Sequence, residues 1–235
     1  MRAGRVAKRA HTESSERAET ALPGRLLHRS FFESPPERVA PLLLGKLLVL
    51  KTKGRKPLAG RIVEVEAYLG PDDKQPDPAA HSHRGPTPRN SVLFGPAGHA
   101  YVYFIYGMYY CMNFSCQRKG LGGGILLRAL EPVTGMEQMA RNRGLKQSAP
   151  PCDLTSGPGR LCEALGITRA KDNGLDLVDP ESPLQVRDDG FRLKKVMVTH
   201  RIGIRRAAEL PLRFVVPGNP CVSGPKSLAG KCVQI

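Results

Sequence analysis

Residues 61–68 read Arg-Ile-Val-Glu-Val-Glu-Ala-Tyr, with apolar and polar side chains alternating. Successive side chains of a strand point to opposite faces, so this alternation predicts a strand over about 59–69. One face carries the apolar side chains, Val63, Val65 and Ala67. The other face carries two carboxylates and a tyrosine, Glu64, Glu66 and Tyr68. That polar face is either a solvated surface whose glutamates pair with arginines or a strand-borne acid or base.

Outward from this strand, the pattern predicts a mixed α/β (α+β) domain. A helix begins at Ser34-Pro35-Pro36-Glu37, where proline suits the first turn, and extends to about Leu44. A loop over 70–98 contains six prolines, which is typical of a functional loop. A second helix over 156–165 has Ser156 as its cap and Pro158 in its first turn. The other predicted elements are strands at 46–51, 101–106, 109–115, 125–130, 195–200 and 212–216 and a helix at 134–143.

The connections between most strands are too short for crossovers, which favours a curved, largely antiparallel sheet in a single domain. We assign residues 28–223 to that domain. Residues 1–27 carry charges of both signs and few large apolar side chains, which is typical of a basic disordered tail. Residues 224–235 carry no motif and are expected to form a C-terminal tail.

The charge balance indicates a polyanionic partner, since 36 Lys and Arg against 21 Asp and Glu leave a net charge of +15. Charge alone does not separate DNA, RNA and an anionic membrane surface. A membrane span is not predicted because no run of 18 apolar residues occurs.

The six cysteines show no C-x-x-C pair and no Cys/His spacing typical of zinc, so no metal site is predicted. No signal peptide opens the chain, and we expect an intracellular protein with mostly free, packed thiols. The sequence leaves undecided whether one buried disulfide is present.

An aromatic hairpin is predicted over 101–110, which holds five of the six tyrosines of the chain. Core packing is the default for strand aromatics, but Tyr106 lies beside the turn residue Gly107 and is hard to bury. Such an exposed ring on a basic protein suggests a wedge between base steps or a platform for unpaired bases, including RNA bases. His81 lies in the long loop, where an exposed or locally bonded histidine is the ordinary interpretation.

Taken together, these motifs resemble the methylpurine (alkyladenine, 3-methyladenine) DNA glycosylase family. The resemblance runs from about Phe31 to Ser223. It is carried by residues 60–64 (GRIVE), 66–71 (EAYLGP), 80–82 (AHS), 87–90 (TPRN), 101–113, 126–132 (LLRALEP) and 156–158 (SGP).

The resemblance implies roles for individual residues. Glu66 corresponds to the general base, and Arg128 to an arginine that helps hold the attacking water. Tyr106 corresponds to the residue that fills the gap left by a flipped base, and Asn113 to one that crowds the 2-amino group of undamaged guanine. Three residues would enclose the flipped base: Tyr68, His81 and Tyr103. The other DNA-contacting positions would be Thr87, Arg89, Asn90, Met108 and Tyr109.

The sequence leaves two details of the site undecided, the pocket histidine and the length of the hairpin turn. The loop between Pro71 and His81 looks longer than in relatives, so His83 is the alternative pocket histidine. A two-residue turn at Tyr106-Gly107 would pair Tyr103 with Tyr110 and place Asn113 on the opposite face. Because the implied pocket needs Tyr103 and Asn113 together, we predict an odd-length turn over 106–108 or a bulge.

The expected function is therefore a monofunctional DNA glycosylase, acting as a monomer on double-stranded DNA that contains damaged purines. The resemblance implies 3-methyladenine, 7-methylguanine, hypoxanthine and ethenoadenine as the lesion class. No lysine lies in these motifs to form a Schiff base with the sugar, so lyase activity is not expected, and neither is a cofactor or a metal. The alternative is a non-catalytic nucleic-acid binding module that stacks bases on the tyrosine hairpin. Glu66 and Arg128 separate the two, because binding alone does not need them.

Overall fold

The computed structural model describes residues 22–225 and 230–234, in which every paired strand runs antiparallel to its neighbours. The strands are β1 (Arg25–Leu26), β2 (Leu47–Leu50), β3 (Leu58–Tyr68), β4 (Ala100–Ile105), β5 (Tyr109–Cys116), β6 (Gly123–Thr134), β7 (Leu184–Asp188), β8 (Lys195–Thr199), β9 (Arg213–Val215) and β10 (Lys231–Gln234). The helices are α1 (Pro36–Leu43), α2 (Met136–Asn142), α3 (Pro151–Thr155), α4 (Pro158–Leu165) and α5 (Arg169–Asp172), with 3-10 turns at Arg29–Phe32 and Ser91–Phe94.

Strand β3 is the point at which the sheet divides. Its first residues pair with β2 through Leu58–Arg61, and its later residues pair with β9 through Glu64–Glu66. Along its other edge, β3 pairs with β6 almost throughout. The sheet order is β1-β7-β2-β3-β6-β5-β4, with β9, β8 and β10 branching from β3. The result is a curled, mixed α/β half-barrel in a single domain, so the predicted fold class is confirmed.

A β-bulge in β3 changes which face its residues use. Ile62 pairs with Leu130 and Glu64 with Ala129, which leaves Val63 as an extra residue on β3. Bulged residues share a side of the sheet, and Val63 accordingly packs against Ala129 and Cys221 instead of joining Val65 in the main core. The prediction that Val63 faces the core with Val65 and Ala67 is therefore wrong. Glu64, Glu66 and Tyr68 keep the common face that the alternation predicts.

The main hydrophobic core joins one face of the sheet to the helices. Val39 and Leu43 of α1 and Leu161 of α4 are buried there with strand residues such as Leu127. Burying one such side chain contributes about 1.5–3 kcal/mol. The core fixes β3, β5 and β6 against each other, and these three strands carry most of the candidate site.

The chain over 151–165 forms two short helices where one helix was predicted. Pro158 begins α4 as predicted, but its N-cap is Gly157, whose φ of 120° is outside the range of most L-residues. Ser156 is not the cap; its N–H bonds to Cys152, and the residue forms a bridge with Ala129. Sequence pattern alone did not show α3 or the break between the two helices at residues 156–157.

Some described residues of the two expected tails lie in strands of the sheet. Residues 1–21 of the expected N-terminal tail lie outside the described residues, while Arg25 and Leu26 form β1 against β7. Lys231–Gln234 form β10 against β8, so these four residues of the expected C-terminal tail are part of the sheet. In the described part of the chain, no helix has the length and apolar character needed to cross a membrane.

The cysteines are partly free and partly paired. Cys111, Cys116 and Cys162 are buried free thiols, as expected. Cys152 and Cys221 form a disulfide that links α3 to the segment after β9. The expectation of free thiols is wrong for this pair, and the single buried disulfide left open by the sequence is present.

Candidate active site

The aromatic hairpin has the odd turn that the sequence predicted. Ile105 pairs with Tyr109 and Tyr103 with Cys111, which leaves Tyr106–Met108 as a three-residue turn. Tyr106 adopts a left-handed φ of 50°, and its side chain is exposed, with a relative accessibility of 84%. This register puts Tyr103 and Asn113 on one face as diagonal neighbours.

A cavity of about 360 Å³ opens beside this hairpin, within the size range of small-molecule sites. It brings together six side chains that the sequence singled out: Tyr68, His81, Tyr103, Tyr106, Asn113 and Arg128. Glu66 is fully buried and lies directly behind the lining residues Tyr68 and Arg128. The long loop, the hairpin and strands β3 and β6 therefore converge on one site.

The Glu66 carboxylate accepts three hydrogen bonds or ion-pair contacts. Its Oε2 accepts from the Tyr68 hydroxyl at 2.9 Å. Its Oε1 accepts from the backbone N–H of Ile202 at 2.8 Å and lies 3.3 Å from Nη1 of Arg128. Every partner is a donor, which matches an ionised carboxylate. A carboxylate has about four acceptor positions, so these contacts leave one on Oε2.

Arg128 reaches Glu66 from β6, the neighbouring strand. Its Nε also donates to Glu64 at 2.8 Å and its Nη2 to the Ser223 hydroxyl at 3.3 Å. Burial alone would lower the pKa of Arg128, but the charges of Glu66 and Glu64 outweigh it and raise the pKa. Arg128 is thus a fixed cation at the base of the cavity.

Tyr68 is held from two sides. Burial, followed by the neighbouring charge of Glu66, raises the pKa of Tyr68, which keeps its hydroxyl a donor to that carboxylate. The guanidinium carbon of Arg201 lies 4.6 Å from the centre of the Tyr68 ring. Arg201 covers one ring face by a cation–π contact, which leaves only the other face open.

Two tyrosines and a histidine form another part of the cavity wall. The His81 ring lies 4.5 Å from that of Tyr103, and its Nδ1 is 3.0 Å from the Tyr101 hydroxyl. Partial desolvation by these rings, and then the charge of Arg89, lowers the pKa of His81 although the residue keeps an exposed part, so the ring is neutral near pH 7. His83 lines a neighbouring cavity and not this one; the pocket histidine is therefore His81.

Next to these rings, Cys111 is a lining residue that the sequence reasoning missed. It lines the cavity, and burial raises the pKa of its thiol to about 11. Burial also raises the pKa of Tyr103, against a smaller lowering effect of its hydrogen bond with Asn113. Once the odd turn is known, its pairing opposite Tyr103 identifies Cys111 as a lining residue.

Of the positions expected to contact DNA, most are exposed. Met108 and Tyr109 are exposed on the hairpin, and Thr87 and Arg89 on the long loop. Asn90 is an exception, because it is buried and its side chain donates to the carbonyls of His81 and Gly85 while accepting from Thr87. Asn90 shapes the loop that carries His81, and its side chain is not placed for contact with DNA.

Sequence reasoning also missed the partners that hold the site together. Arg213 of β9 and Ser223 contact Glu64, and Asp77 forms a fully buried ion pair with Arg201. A basic residue within an apolar run, such as Arg213 before Phe214 and Val215, is a weak signal of a buried pair. Among the described residues, no group of three His, Cys, Asp or Glu side chains could hold a metal ion.

Comparison with known proteins identifies the family of this chain. The family model described as methylpurine-DNA glycosylase (MPG) matches residues 30–220. A Koribacter versatilis protein named "Putative 3-methyladenine DNA glycosylase" is 56% identical over 202 residues, covering 86% of this chain and 95% of its own. Proteins of the same name from Burkholderia lata and Methanoculleus marisnigri are each 48% identical, covering 86% and 84% of this chain and 93% and 98% of their own. The chain is a DNA glycosylase and belongs to the methylpurine-DNA glycosylase family.

Proposed function

We propose that this enzyme flips alkylated or deaminated purines out of duplex DNA and hydrolyses their N-glycosidic bonds with water activated by Glu66. The lesion class is that of 3-methyladenine, 7-methylguanine, hypoxanthine and ethenoadenine. The enzyme acts as a monomer inside the cell, where its DNA lies, and it is monofunctional. The name that its relatives carry, 3-methyladenine DNA glycosylase, supports the first member of this class.

The observation that carries the proposal is the state of Glu66. It is a buried carboxylate whose three described partners, Tyr68, Arg128 and Ile202, all donate and all line the cavity, and one acceptor position on its Oε2 has no partner among the described residues. An ionised carboxylate with a free acceptor position can hold a water molecule and accept its proton. A module that only binds DNA has no use for such a group.

The chemistry follows from that arrangement. As the bond between the purine and the sugar breaks, positive charge develops on the sugar, and the negative charge of Glu66 stabilises it. Water adds to C1′ and gives a proton to Glu66, while the bonding electrons leave with the base. Arg128, which contacts the other carboxylate oxygen of Glu66, helps orient the water. An alkylated purine is already cationic, whereas hypoxanthine must also gain a proton to leave.

Flipping is assigned to the hairpin. A base inside a duplex is unreachable, and extrusion costs a few kcal/mol, least for a damaged or mispaired base. The exposed ring of Tyr106 would enter the stack at the vacated position. The exposed Met108 and Tyr109 flank it, and the net charge of +15 favours approach to the phosphates.

Recognition of the base is assigned to the cavity walls. The base would stack between Tyr68 on one side and the ring pair of His81 and Tyr103 on the other. Asn113 would crowd the 2-amino group of guanine and so exclude the commonest undamaged competitor. These residues come from a rigid sheet and an internally bonded loop, which suits a site of defined shape.

The test uses two duplexes that differ at one position, hypoxanthine in one and adenine in the other, both opposite thymine. The proposal predicts release of free hypoxanthine, an abasic site that breaks only on treatment with alkali, and no release from the adenine duplex. Binding of the hypoxanthine duplex with no base release would favour the non-catalytic binding module. Strand breaks without alkali would contradict a monofunctional enzyme.

A further inference from the structure

Behind the cavity, Glu64 joins two arginines that come from different strands. Its Oε1 accepts from Nε of Arg128 at 2.8 Å and from Nε of Arg213 at 2.7 Å. Its Oε2 accepts from the backbone N–H of Ser223 at 2.6 Å. Glu64 is fully buried, and both arginines are buried as well. These three donors stabilise the charge of Glu64 in the interior, where a carboxylate without hydrogen-bond partners would be costly.

Ser223 completes the arrangement from the segment after β9. Its hydroxyl accepts from Nη2 of Arg128 at 3.3 Å, and its carbonyl accepts from Nη2 of Arg213 at 2.8 Å. The three nitrogens of the Arg128 guanidinium therefore have three different partners. Nε faces Glu64, Nη2 faces Ser223, and Nη1 faces Glu66. A planar guanidinium held at three points has one orientation.

We propose that Glu64 is a positioning residue that orients Arg128 and shares its positive charge, so that Glu66 keeps enough basicity to activate water. This inference rests on the proposed role of Glu66. Without Glu64, the charge of Arg128 would act on Glu66 alone and make it a weaker base. Arg213 balances the added carboxylate, which allows two glutamates to lie around one guanidinium.

The charges around Glu66 set the direction of the effect. Glu64 and Glu66 balance Arg128 and Arg213, so the four groups are neutral together. The other groups that face Glu66 are the hydroxyl of Tyr68, the thiol of Cys111 and, beyond the Tyr68 ring, Arg201. Removing Glu64 leaves the four-residue cluster one unit more positive, and removing Arg213 leaves it one unit more negative.

The test is the pH dependence of single-turnover hypoxanthine release, with protein in excess, for three variants of the full chain. Glu64→Gln should move the acid limb of the rate profile to lower pH, because Glu66 would hold its charge more firmly. Arg213→Gln should move it to higher pH. The double variant restores neutrality and should bring the limb back towards that of the parent protein. A purely structural role would not move these limbs in opposite directions.

The rate of hypoxanthine release at neutral pH provides a second readout. Misplacing a group by about 1 Å can cost about 10²-fold, so Glu64→Gln should slow release by about 10- to 100-fold at neutral pH. Affinity for the hypoxanthine duplex should stay within about threefold, since Glu64 is buried behind the cavity. Ser223→Ala removes one acceptor of Arg128 and leaves the backbone contacts, and it should slow release by a smaller factor. If melting curves show that Glu64→Gln does not fold, the Ser223→Ala and Arg213→Gln variants test the inference in its place.

The inference is overturned if the acid limb stays in place in the single variants or moves the same way in both. It is also overturned if the folded variants release hypoxanthine as fast as the parent protein. Glu66→Gln is measured in parallel. If Glu66→Gln keeps the full rate, the proposed function fails whatever the Glu64 and Arg213 variants do.

Discussion

Replacing Asp77 by asparagine should destabilise the protein strongly, because it leaves a buried arginine without its counter-ion. Asp77 lies in the long loop, and its side chain and that of Arg201 are both fully buried. The carboxylate accepts from both terminal nitrogens of Arg201, and also from the N–H groups of Leu69 and Ala79. Asparagine keeps the shape but not the charge.

The expected loss of unfolding free energy follows from the burial of the Asp77–Arg201 ion pair. Removing one partner of a buried ion pair costs about 3–5 kcal/mol. For a domain of this size, each kcal/mol lowers Tm by about 2–4 °C, so Asp77→Asn should lower Tm by roughly 6–20 °C. Arg201 would keep its bonds to the carbonyls of Ala67 and Ala207, which favours the lower part of that range.

The assay is urea and thermal unfolding followed by circular dichroism. Asp72→Asn is the matched control, because Asp72 is an exposed aspartate of the same loop. Its free energy of unfolding should change by no more than about 0.5 kcal/mol. A loss of less than about 1 kcal/mol in Asp77→Asn would refute the reasoning, since the Asp77 charge would then not be needed to balance Arg201.

The remaining predictions concern the surface of the site. Tyr106→Ala should weaken binding of a hypoxanthine duplex by about 1–3 kcal/mol, the usual value of one aromatic–base stack, as measured by fluorescence anisotropy. The exposed Met136 provides a control, and an equal loss in Met136→Ala would contradict a wedge role. Arg89→Ala should raise the pKa of His81 towards 6.5, because burial and then the Arg89 charge lower it. NMR titration of the imidazole measures this, Arg84→Ala is the control, and an unchanged or lower value would contradict the assignment. Since the pKa of His81 is lower in the folded state than in the unfolded state, the parent protein should also lose stability as the pH falls below about 6.5.

The three-residue turn was predicted from the family resemblance, which implies that Tyr103 and Asn113 lie on one face, together with the geometry of hairpins. Local sequence alone was enough to predict β3, because the alternation around Glu66 follows the two-residue period of a strand. The same reasoning misplaced Val63, because a bulge depends on how the partner strand is paired.

The contacts that complete the site could not be predicted because they join distant parts of the chain. Glu64 is satisfied by Arg213 and Ser223, which follow it by about 150 residues. Nothing near Glu64 in the sequence indicates these partners, so the alternation by itself did not decide between a solvated and a functional face. Asn90 illustrates the same limit within a loop, since its role depends on the carbonyls that the folded loop presents to it.

The central claim is that Glu66 activates the attacking water, and single-turnover release of hypoxanthine by Glu66→Gln tests it most directly. If Glu66 is the general base, the rate should fall by about 10²- to 10⁴-fold, the usual contribution of such a group, with unchanged affinity for the hypoxanthine duplex. Glu163→Gln, at a partly exposed glutamate of α4, should keep the parent rate. A Glu66→Gln protein that folds and releases hypoxanthine within a few-fold of the parent rate would contradict the account.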